Sequence, residues 1–257
     1  MNMVISDIWA KRQTLRDSGV LRGSRDLHSH LLYGVDDGIT DPEESLEALA
    51  YEESIGVREV WCTPHIMEEV PNDTACLKQR FAELQNIYQG PIVLHLAAEY
   101  MMDNLFLKRL HDGDILTISG NVILTEVSTA GTPYGFEGIL SNMMSAGFRP
   151  LIAHPERYGF MKEREYFRLR EMGVLFQLNI ASLTGYYGKE ARMRAEFLLK
   201  KGMYNAYGSD CHSARVLHSQ YSESWLSADI LRRIALLDDN LCNYCYICRL
   251  SMGMFWF

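Results

Sequence analysis

The sequence has no long hydrophobic run. Nowhere in its 257 residues does an apolar stretch approach the roughly 18 residues that a membrane-spanning helix needs. The N-terminal segment, Met1 to Leu15, carries Asp7 within its most apolar part and so lacks the continuous hydrophobic core of a secretory signal. We therefore expect a cytoplasmic protein that does not insert into a membrane.

The sequence also has little positive charge. Its 25 Lys and Arg residues are outnumbered by 33 Asp and Glu residues, which gives a formal net charge of -8 at pH 7. Non-specific binding to the nucleic-acid backbone depends on clustered Lys and Arg side chains, and the sequence shows no such cluster. We expect no nucleic-acid partner, and any phosphate group must be held by a local site.

A cysteine framework is missing as well. The six cysteines are scattered along the chain, at positions 62, 76, 211, 242, 245 and 248. In a reducing compartment such residues are free thiols rather than disulfide partners. The last three form a C-x-x-C-x-x-C run, but without a fourth ligand nearby this run is weak support for a zinc or iron–sulfur site.

No Pro/Gly/Ser-rich linker, internal repeat or low-complexity tract divides the chain. A hydrophobic fraction of 47% at this length is enough for one sizeable core. We predict an N-terminal helical extension over residues 1–24, a single α/β barrel over 25–239, and an atypical C-terminal tail over 240–257.

Helical patterns alternate with strand-like runs along the chain. Asp41 can cap a helix that starts at Pro42, runs to about Ile55 and ends at Gly56. Later helical patterns end near Gly147, Gly173 and Gly202. Strand-like runs lie near residues 27 and 60 and at 92–96, 122–127, 151–153, 174–178 and 204–207. Seven strands alternating with helices favour a parallel barrel.

Polar residues gather at the ends of these strands. Five of the eight histidines stand at or just after a predicted strand end, namely His28, His30, His65, His154 and His212. Four acids occupy similar positions, namely Asp36, Glu99, Glu126 and Asp210. In a parallel barrel the functional groups collect at the rim formed by the C-terminal strand ends, so we expect these nine side chains to meet.

Two short chelating pairs occur within this set. In an extended segment, residues two apart point to the same side, so His28 and His30 can reach one ion, and Asp210 and His212 can do the same. One such pair alone is more often a packed or surface pair than a metal site. Nine imidazoles and carboxylates at successive strand ends predict a metal centre, and these donors suit zinc, manganese or iron.

The chain carries an ordered set of motifs. They are D-L-H-S-H at 26–30, V-D-D-G at 35–38, T-P-H at 63–65, A-H-P-E-R-Y at 153–158 and G-S-D-C-H at 208–212. Together these motifs resemble the polymerase-and-histidinol-phosphatase (PHP) superfamily. Within it, H-P-E-R-Y and V-D-D-G are similar to the bacterial tyrosine-protein phosphatases of the CpsB/CapC type, and the likeness spans roughly residues 24–215.

The resemblance implies a distorted seven-stranded (β/α)7 TIM-like barrel with a centre of three divalent ions, usually Mn²⁺. It places His28, His30, Glu99 and Asp210 around the first ion. It makes Glu99 bridge to a second ion that Glu126 and His154 also bind. It places Asp36, His65 and His212 around the third.

Three further residues are candidates for handling the substrate. Arg157 follows His154 by three positions and can donate a pair of hydrogen bonds to a phosphate oxygen, although it could instead form a surface pair with Glu156. Arg215, soon after His212, is a second catalytic candidate. Tyr158 could line an aromatic substrate cleft or could serve only in packing.

These observations predict a metal-dependent phosphatase. Three divalent ions and four carboxylates leave a local charge of about +2, which attracts a phosphomonoester dianion. The resemblance implies a phosphotyrosine-protein substrate, specifically a bacterial tyrosine kinase with a C-terminal tyrosine cluster that controls capsular or exopolysaccharide biosynthesis. Two alternatives remain open, a phosphatase for a small phosphomonoester such as histidinol phosphate and a non-catalytic metal-bound protein that binds a kinase tail.

Overall fold

The computed structural model describes residues 12–237. Nine parallel strands and one antiparallel pair are present in this range. The strands are β1 (Arg12–Thr14), β2 (Arg25–Ser29), β3 (Glu59–Cys62), β4 (His65–Ile66), β5 (Val93–Leu96), β6 (Glu99–Met101), β7 (Val122–Glu126), β8 (Arg149–Ala153), β9 (Leu175–Asn179), β10 (Ala206–Gly208) and β11 (Trp225–Ser227).

Helices follow most of the strands. They are α1 (Leu15–Ser18), α2 (Pro42–Ile55), α3 (Thr74–Ile87), α4 (Asn104–Asp112), α5 (Phe136–Ser145), α6 (Glu163–Glu171), α7 (Ile180–Thr184), α8 (Gly188–Lys200), α9 (Ala214–Glu223) and α10 (Ala228–Ala235), with one 3₁₀ turn at Pro155–Arg157. None of the helices within 12–237 has the length and apolar character needed to cross a bilayer.

The parallel strands form two curled sheets. One has the order β10-β9-β8-β7-β6-β4, and the other has the order β2-β3-β5. Hydrogen bonding between the β3–β4 and β5–β6 segments continues across their breaks, because Ala97 N donates to Cys62 O at 2.9 Å and Glu99 N donates to Pro64 O at 3.1 Å. Just after β10, Asp210 N donates to His28 O in β2 at 2.8 Å and so links the two sheets. The fold is therefore mixed α/β with curled parallel sheets.

Two of the predicted strands extend further along the chain than the sequence pattern suggests, and each is interrupted by a two-residue break. The predicted strand near Val60 continues as β4 after Thr63 and Pro64, and the predicted strand at 92–96 continues as β6 after a two-residue break. A proline has no N–H group to donate to a neighbouring strand, which explains the break at Pro64. The short β4 and β6 segments carry His65 and Glu99 to the same edge as the other strand ends.

The predicted helix start at Asp41 is confirmed. Its carboxylate accepts a hydrogen bond from Glu44 N at 2.9 Å, Pro42 occupies the first turn, and Gly56 ends the helix with a φ of 91°. Within α2, Ser45 Oγ donates to Leu31 O, just after β2, at 2.8 Å. This contact fixes the backbone just after His30.

Both faces of the larger sheet are buried at β7 and β8. Adjacent residues of β7 and β8 join different apolar clusters: Leu124 and Leu151 lie in a smaller cluster, whereas Ile123 and Ile152 lie in the main core. Successive side chains of a strand point to opposite faces, so this division shows one apolar layer on each side. Burial on both faces explains the nearly continuous hydrophobic runs that the sequence shows at these strands.

The segment before β2 is only partly described. In the predicted helical extension, residues 12–24 contain strand β1 and the four-residue helix α1, and β1 pairs antiparallel with β11. Residues 1–11 and the predicted tail at 240–257, with its three cysteines, lie outside the described residues.

Candidate metal centre

The strand ends bring all the predicted histidines and acids to one edge of the sheets. His28 lies in β2, His65 in β4, Glu99 in β6 and Glu126 at the end of β7, while His154 directly follows β8. His30, Asp210 and His212 lie in the loops after β2 and β10. Because parallel strands end at the same edge, segments far apart in sequence deliver their side chains to one place.

The first group of donors is fully buried. His28, His30, Glu99 and Asp210 offer ligand atoms that all lie within 4.8 Å of one another. The Nε2 atoms of His28 and His30 lie 3.1 and 3.3 Å from Glu99 Oε2, and each lies 3.4 Å from Asp210 Oδ1. Two imidazole nitrogens and two carboxylate oxygens therefore converge on one point.

A second group shares Glu99 with the first. His65 Nδ1 lies 3.2 Å from both Glu99 Oε2 and Glu126 Oε1. On the other side, His154 Nε2 lies 3.0 Å from Glu99 Oε1 and 3.8 Å from Glu126 Oε2. Glu99 thus directs its two oxygens toward neighbouring groups, which is the arrangement of a bridging carboxylate.

The third group contains Asp37 and not the predicted Asp36. His30, Asp37, His65 and His212 have donor atoms within 4.8 Å of one another, and Asp37 Oδ1 lies 3.5 Å from the Nε2 atoms of both His65 and His212. Asp36 Oδ2 instead lies 2.7 Å from His30 Nδ1 and accepts a hydrogen bond from His65 N at 3.0 Å. Adjacent loop residues point in different directions, and the motif V-D-D-G does not show which aspartate faces the group.

Divalent cations fit these donors. His65 Nδ1 is buried without a hydrogen-bond partner among the described residues, although it faces two carboxylates. Buried carboxylates are costly unless a positive group neutralises them, and Glu99 and Asp210 are each only about 1% exposed as side chains. Imidazole nitrogen combined with carboxylate oxygen suits zinc, manganese or iron.

Without ions, protons on the histidines balance these acids. Burial lowers the pKa of His28, but Glu99 and Asp210 outweigh this effect and raise the pKa to about 9. Burial also raises the pKa of Glu99 and Asp210, but the surrounding histidines outweigh it and hold both pKa values well below the usual range. The carboxylates therefore stay ionised, and a bound cation would take the place of protons on the imidazoles.

The backbone is unusual at two of the donors. His154 has a φ of 35° and Asp210 a φ of 52°, and they are the only non-glycine residues with positive φ within 12–237. This conformation costs free energy for residues with a Cβ atom and is concentrated at functional sites. At His154 and Asp210 it occurs directly after β8 and soon after β10, where each side chain joins the donor groups.

Side chains outside the three groups orient the donors. Gln177 Oε1 lies 3.0 Å from His28 Nδ1 and accepts a hydrogen bond from His154 N at 3.2 Å. Asn179 Nδ2 donates to Asp210 Oδ2 at 2.6 Å. Sequence reasoning missed both residues. The sequence did contain a signal for them, because Gln177 and Asn179 are polar residues two positions apart at the end of an otherwise apolar strand.

Arg157 lies beside the first group. Its Nη1 donates to Asp210 Oδ2 at 3.0 Å, and its side chain is 27% exposed. The alternative pairing with Glu156 is wrong. Glu156 is buried, where its Oε1 accepts from Asn179 N at 3.0 Å and its Oε2 accepts from Tyr204 OH at 2.8 Å.

The structure does not support a substrate contact for Tyr158. Its side chain is fully buried, and its hydroxyl donates to Ala153 O at 3.0 Å and accepts from Val127 N at 3.1 Å. The apolar ring packs beneath the strand ends, with His154 at its edge. Tyr158 therefore serves in packing, which was the alternative to substrate binding.

Arg215 also lies away from the centre. It is exposed on α9 and does not line the cavity above the donors, whereas Ser213, Val216, Leu217 and Gln220 do. Residues three and four apart share one face of a helix, so the face that looks into the cavity excludes position 215. The catalytic prediction for Arg215 has no geometric support.

A cavity of about 400 Å³ opens above the donors. Its lining includes metal-group residues together with Arg157 and Tyr187. Apolar and aromatic side chains also line it, among them Tyr186, Val216 and Leu217. The lining therefore combines donors suited to a phosphate with apolar and aromatic surface suited to an organic group.

Comparison with known proteins gives a consistent picture. A family model described as "Capsular polysaccharide synthesis, CpsB/CapC" matches residues 24–224. Tyrosine-protein phosphatase CpsB of Streptococcus pneumoniae is 30% identical over 205 residues, which cover 73% of this chain and 82% of that protein. Tyrosine-protein phosphatase YwqE of Bacillus subtilis (strain 168) is 26% identical over 204 residues, covering 76% and 80% respectively.

A solved structure shares the fold. It is described as "Crystal structures of YwqE from Bacillus subtilis and CpsB from Streptococcus pneumoniae, unique metal-dependent tyrosine phosphatases" and aligns with a TM-score of 0.66 at 22% identity, covering 84% of this chain and 86% of the other. The family model covers well over half of the 257 residues, and its range contains every donor of the three groups. The chain belongs to the CpsB/CapC family.

Proposed function

We propose that the chain is a metal-dependent phosphotyrosine-protein phosphatase that hydrolyses the phosphate ester with a metal-activated water. The observation that carries the proposal is the convergence of three donor groups, in which Glu99, His30 and His65 are each shared by two groups, at a cavity that Arg157 also lines. Relatives named tyrosine-protein phosphatases support the choice of substrate.

Three divalent ions would be held by the three donor groups. His28, His30, Glu99 and Asp210 would hold one ion, and Glu99 with Glu126 and His154 would hold a second. Asp37, His65 and His212 would hold the third. Mn²⁺ is our first choice, and Fe or Zn also suits imidazole and carboxylate donors. When bound, the ions would supply positive charge for the phosphoryl oxygens and acidify a water molecule.

The residues around the ions bind and orient the phosphate. With three divalent ions and the carboxylates of Asp37, Glu99, Glu126 and Asp210, the net local charge is about +2, which favours a dianionic ester. Arg157 lines the cavity and already donates to Asp210, a member of the first donor group. Its guanidinium is therefore close enough to the donors to donate to a phosphate oxygen bound there. These contacts fix the phosphorus atom beside the donor groups.

The leaving group needs little help from an acid. A tyrosine phenolate has a reference pKa of about 10, so it departs more readily than an alkoxide, and a strong general acid is not required. Apolar and aromatic side chains in the cavity lining, such as Tyr186, Val216 and Leu217, offer contacts for a phenyl ring. Both features favour an aryl phosphate over an alkyl phosphate.

We further propose that the protein acts in the cytoplasm on a bacterial tyrosine kinase with a C-terminal tyrosine cluster, in capsular or exopolysaccharide biosynthesis. The description of the matching family as a capsular polysaccharide synthesis family supports this assignment. A flexible, tyrosine-rich tail could present its phosphate to a cavity at the rim without any unfolding of the kinase.

We interpret the two curled sheets as one distorted seven-stranded barrel. In this interpretation the segments β3 and β4 together count as one interrupted barrel strand, and β5 and β6 together count as another. The other five barrel strands are β2, β7, β8, β9 and β10. The hydrogen bond from His30 N to Cys211 O at 3.0 Å supports closure between β2 and β10, and the one from Ala97 N to Cys62 O supports continuous pairing of β3–β4 with β5–β6. We assign the described part of the predicted domain 25–239, up to residue 237, to the unit that contains this barrel.

The decisive experiment measures metal content and turnover on one protein preparation. The purified protein is loaded with Mn²⁺, its bound metal is quantified, and hydrolysis of a phosphotyrosine peptide is compared with that of histidinol phosphate. We expect bound manganese and a higher kcat/KM for the peptide. His28→Ala should lower both metal content and rate, because His28 belongs to the first donor group.

Two other results would replace the proposal. A higher kcat/KM for histidinol phosphate would assign the protein to small phosphomonoesters. Bound metal with no turnover of any phosphotyrosine substrate would make it a non-catalytic metal-bound protein.

A further inference from the structure

Asp210 divides its two carboxylate oxygens between two sides of the site. Oδ1 faces the imidazoles of the first donor group, at 3.4 Å from His28 Nε2. Oδ2 faces away from it and accepts hydrogen bonds from Asn179 Nδ2 at 2.6 Å, Arg157 Nη1 at 3.0 Å and the Tyr187 hydroxyl at 3.2 Å. The donors come from β9, the 3₁₀ turn and the loop before α8, so one oxygen ties three chain segments together.

Arg157 and Tyr187 also contact each other directly. The guanidinium carbon of Arg157 lies 4.4 Å from the centre of the Tyr187 ring, a cation–π arrangement. Both side chains line the cavity that holds the donor groups. The ring therefore supports the guanidinium from one side while the cavity lies beside it.

Asn179 fixes the position of the Tyr187 hydroxyl. Its Nδ2 donates to the Tyr187 hydroxyl at 3.2 Å, in addition to Asp210 Oδ2. Its Oδ1 accepts from Ala181 N at 2.9 Å and so caps α7. Because both Nδ2 and Oδ1 of Asn179 are hydrogen-bonded, its side-chain amide is held in one orientation. The hydrogen bond from this amide holds the Tyr187 hydroxyl near the end of β9.

Arg157 has donors to spare. A guanidinium offers five N–H groups, and one nitrogen of Arg157 is engaged by Asp210 among the described residues. If the guanidinium turns toward a phosphate, Asp210 Oδ2 keeps the hydrogen bonds from Asn179 and Tyr187. Losing Arg157 as a donor would then not leave Oδ2 buried without a partner, so the cost of the turn is small.

We infer that Tyr187 is a positioning residue that acts through Arg157: its ring holds the guanidinium against the cavity, and its hydroxyl keeps Asp210 satisfied while Arg157 binds the phosphate. The inference rests on the proposed phosphatase function and names a residue that neither the motifs nor the three donor groups contain. The ring contact should matter more than the hydroxyl, because Asn179 still donates to Asp210 when the hydroxyl is absent.

The test is a double-mutant cycle on the Mn²⁺-loaded protein. Tyr187→Leu should lower kcat/KM for a phosphotyrosine peptide by about tenfold, since a desolvated cation–π contact is worth up to that order. Tyr187→Phe keeps the ring and should lose less than about threefold. Adding Tyr187→Leu to Arg157→Ala should cause no further loss, because the residue through which Tyr187 acts is already gone.

Two measurements separate positioning from folding. Metal content in Tyr187→Leu and Tyr187→Phe should match the unmutated protein, and both variants should still unfold in one cooperative transition. Tyr134→Leu is the matched control, because Tyr134 is fully exposed and lies outside the residues that line the cavity. The inference would be overturned if the double variant lost kcat/KM by the product of the two single-variant factors. It would also be overturned if Tyr187→Phe lowered kcat/KM as much as Tyr187→Leu does.

Calorimetric binding of inorganic phosphate gives a readout that does not need turnover. The same cycle should appear in the phosphate dissociation constant of the Mn²⁺-loaded variants. If the unmutated protein binds phosphate but hydrolyses no phosphotyrosine substrate, the proposed function fails. The phosphate dissociation constants of the variants would still show whether Tyr187 acts through Arg157. Equal phosphate affinity in Tyr187→Leu and the unmutated protein would overturn the role of Tyr187 alone.

Discussion

Asp36 and Asp37 are neighbours with different surroundings. Asp37 Oδ1 faces His65 and His212, and its side chain is 71% exposed, so an ion bound there would be close to solvent. Burial alone would raise the pKa of Asp36, but its hydrogen bond with His30 prevails and lowers the pKa to about 2. Asp36 is therefore an ionised partner that orients His30, a role known to tune metal affinity.

Asp37→Asn should remove about one bound ion per chain, because it deletes the only carboxylate of the third donor group. Asp36→Asn should keep the number of ions but weaken binding about 10- to 100-fold, as loss of an orienting carboxylate does at other metal sites. Metal analysis after dialysis against graded concentrations of free Mn²⁺ distinguishes the two. An unchanged ion count in Asp37→Asn, with one ion lost in Asp36→Asn, would restore the assignment predicted from sequence.

Arg157→Ala should leave the metal content unchanged and lower kcat/KM on a phosphotyrosine peptide by about 10². Arg157 contacts Asp210 on the oxygen that faces away from the donor group, so its removal leaves the ligand atoms in place. Arg215→Ala is the control, because Arg215 is exposed and does not line the cavity. Full activity in Arg157→Ala would remove this residue from the site.

At the scale of elements, two glycines let backbones approach the histidines closely. A Cβ atom at Gly208, in β10, would lie 2.4 Å from His28 Cβ, and one at Gly38 would lie 2.4 Å from His30 Cβ. Neither distance is tolerated without a shift of the backbone. These contacts explain in physical terms why both motifs, V-D-D-G and G-S-D-C-H, contain a glycine.

Gly208→Ala should destabilise the protein by about 1–3 kcal/mol and lower its metal content, since the methyl group displaces His28. Gly138→Ala is the matched control. Gly138 lies inside helix α5 with open space where the alanine methyl group would lie, so alanine there should be neutral or stabilising by about 0.5–1 kcal/mol. Denaturant unfolding and metal analysis of both variants provide the measurement, and a Gly208→Ala protein with unchanged stability and metal would refute the argument.

The elements themselves were largely predictable from the sequence. The cap at Asp41, the stop at Gly56 and the glycines after α5, α6 and α8 are local signals, and the structure confirms each one. The break between β5 and β6 was not predictable, because no proline or glycine marks Ala97 and Ala98. The choice of Asp37 over Asp36 and the burial of Tyr158 depend on side-chain directions in loops, which residue spacing does not determine.

At the scale of the whole molecule, an acidic protein carries a site that is suited to an anion. The formal net charge is -8, yet the donor groups would have a local charge of about +2 once three divalent ions are bound. Acidic residues elsewhere on the surface repel nucleic acid and other polyanions, while short-range charge at the rim attracts a single phosphate group. Binding of phosphate should therefore depend on the ions, and chelation should abolish it.

The same ions should control how stability depends on pH. In the ion-free protein the pKa of His28 is raised from 6.5 to about 9, because Glu99 and Asp210 outweigh the effect of burial. A raised pKa stabilises the fold fully below pH 6.5, and this stabilisation is lost as the pH rises through 9. Bound Mn²⁺ replaces the protons on the imidazoles and removes this loss.

Thermal unfolding with Mn²⁺ and with a chelator, at about pH 6.5 and about pH 9, tests this linkage. The unfolding temperature of the chelated protein should fall between the two pH values, whereas that of the Mn²⁺-loaded protein should change little, so the stabilisation by Mn²⁺ grows with pH. His28→Ala should reduce the pH dependence of the chelated protein, since one titrating imidazole is gone, while His30 and His65, whose pKa values nearby carboxylates also raise, still contribute. A stabilisation by Mn²⁺ that is equal at both pH values would show that protons and cations do not compete for these side chains.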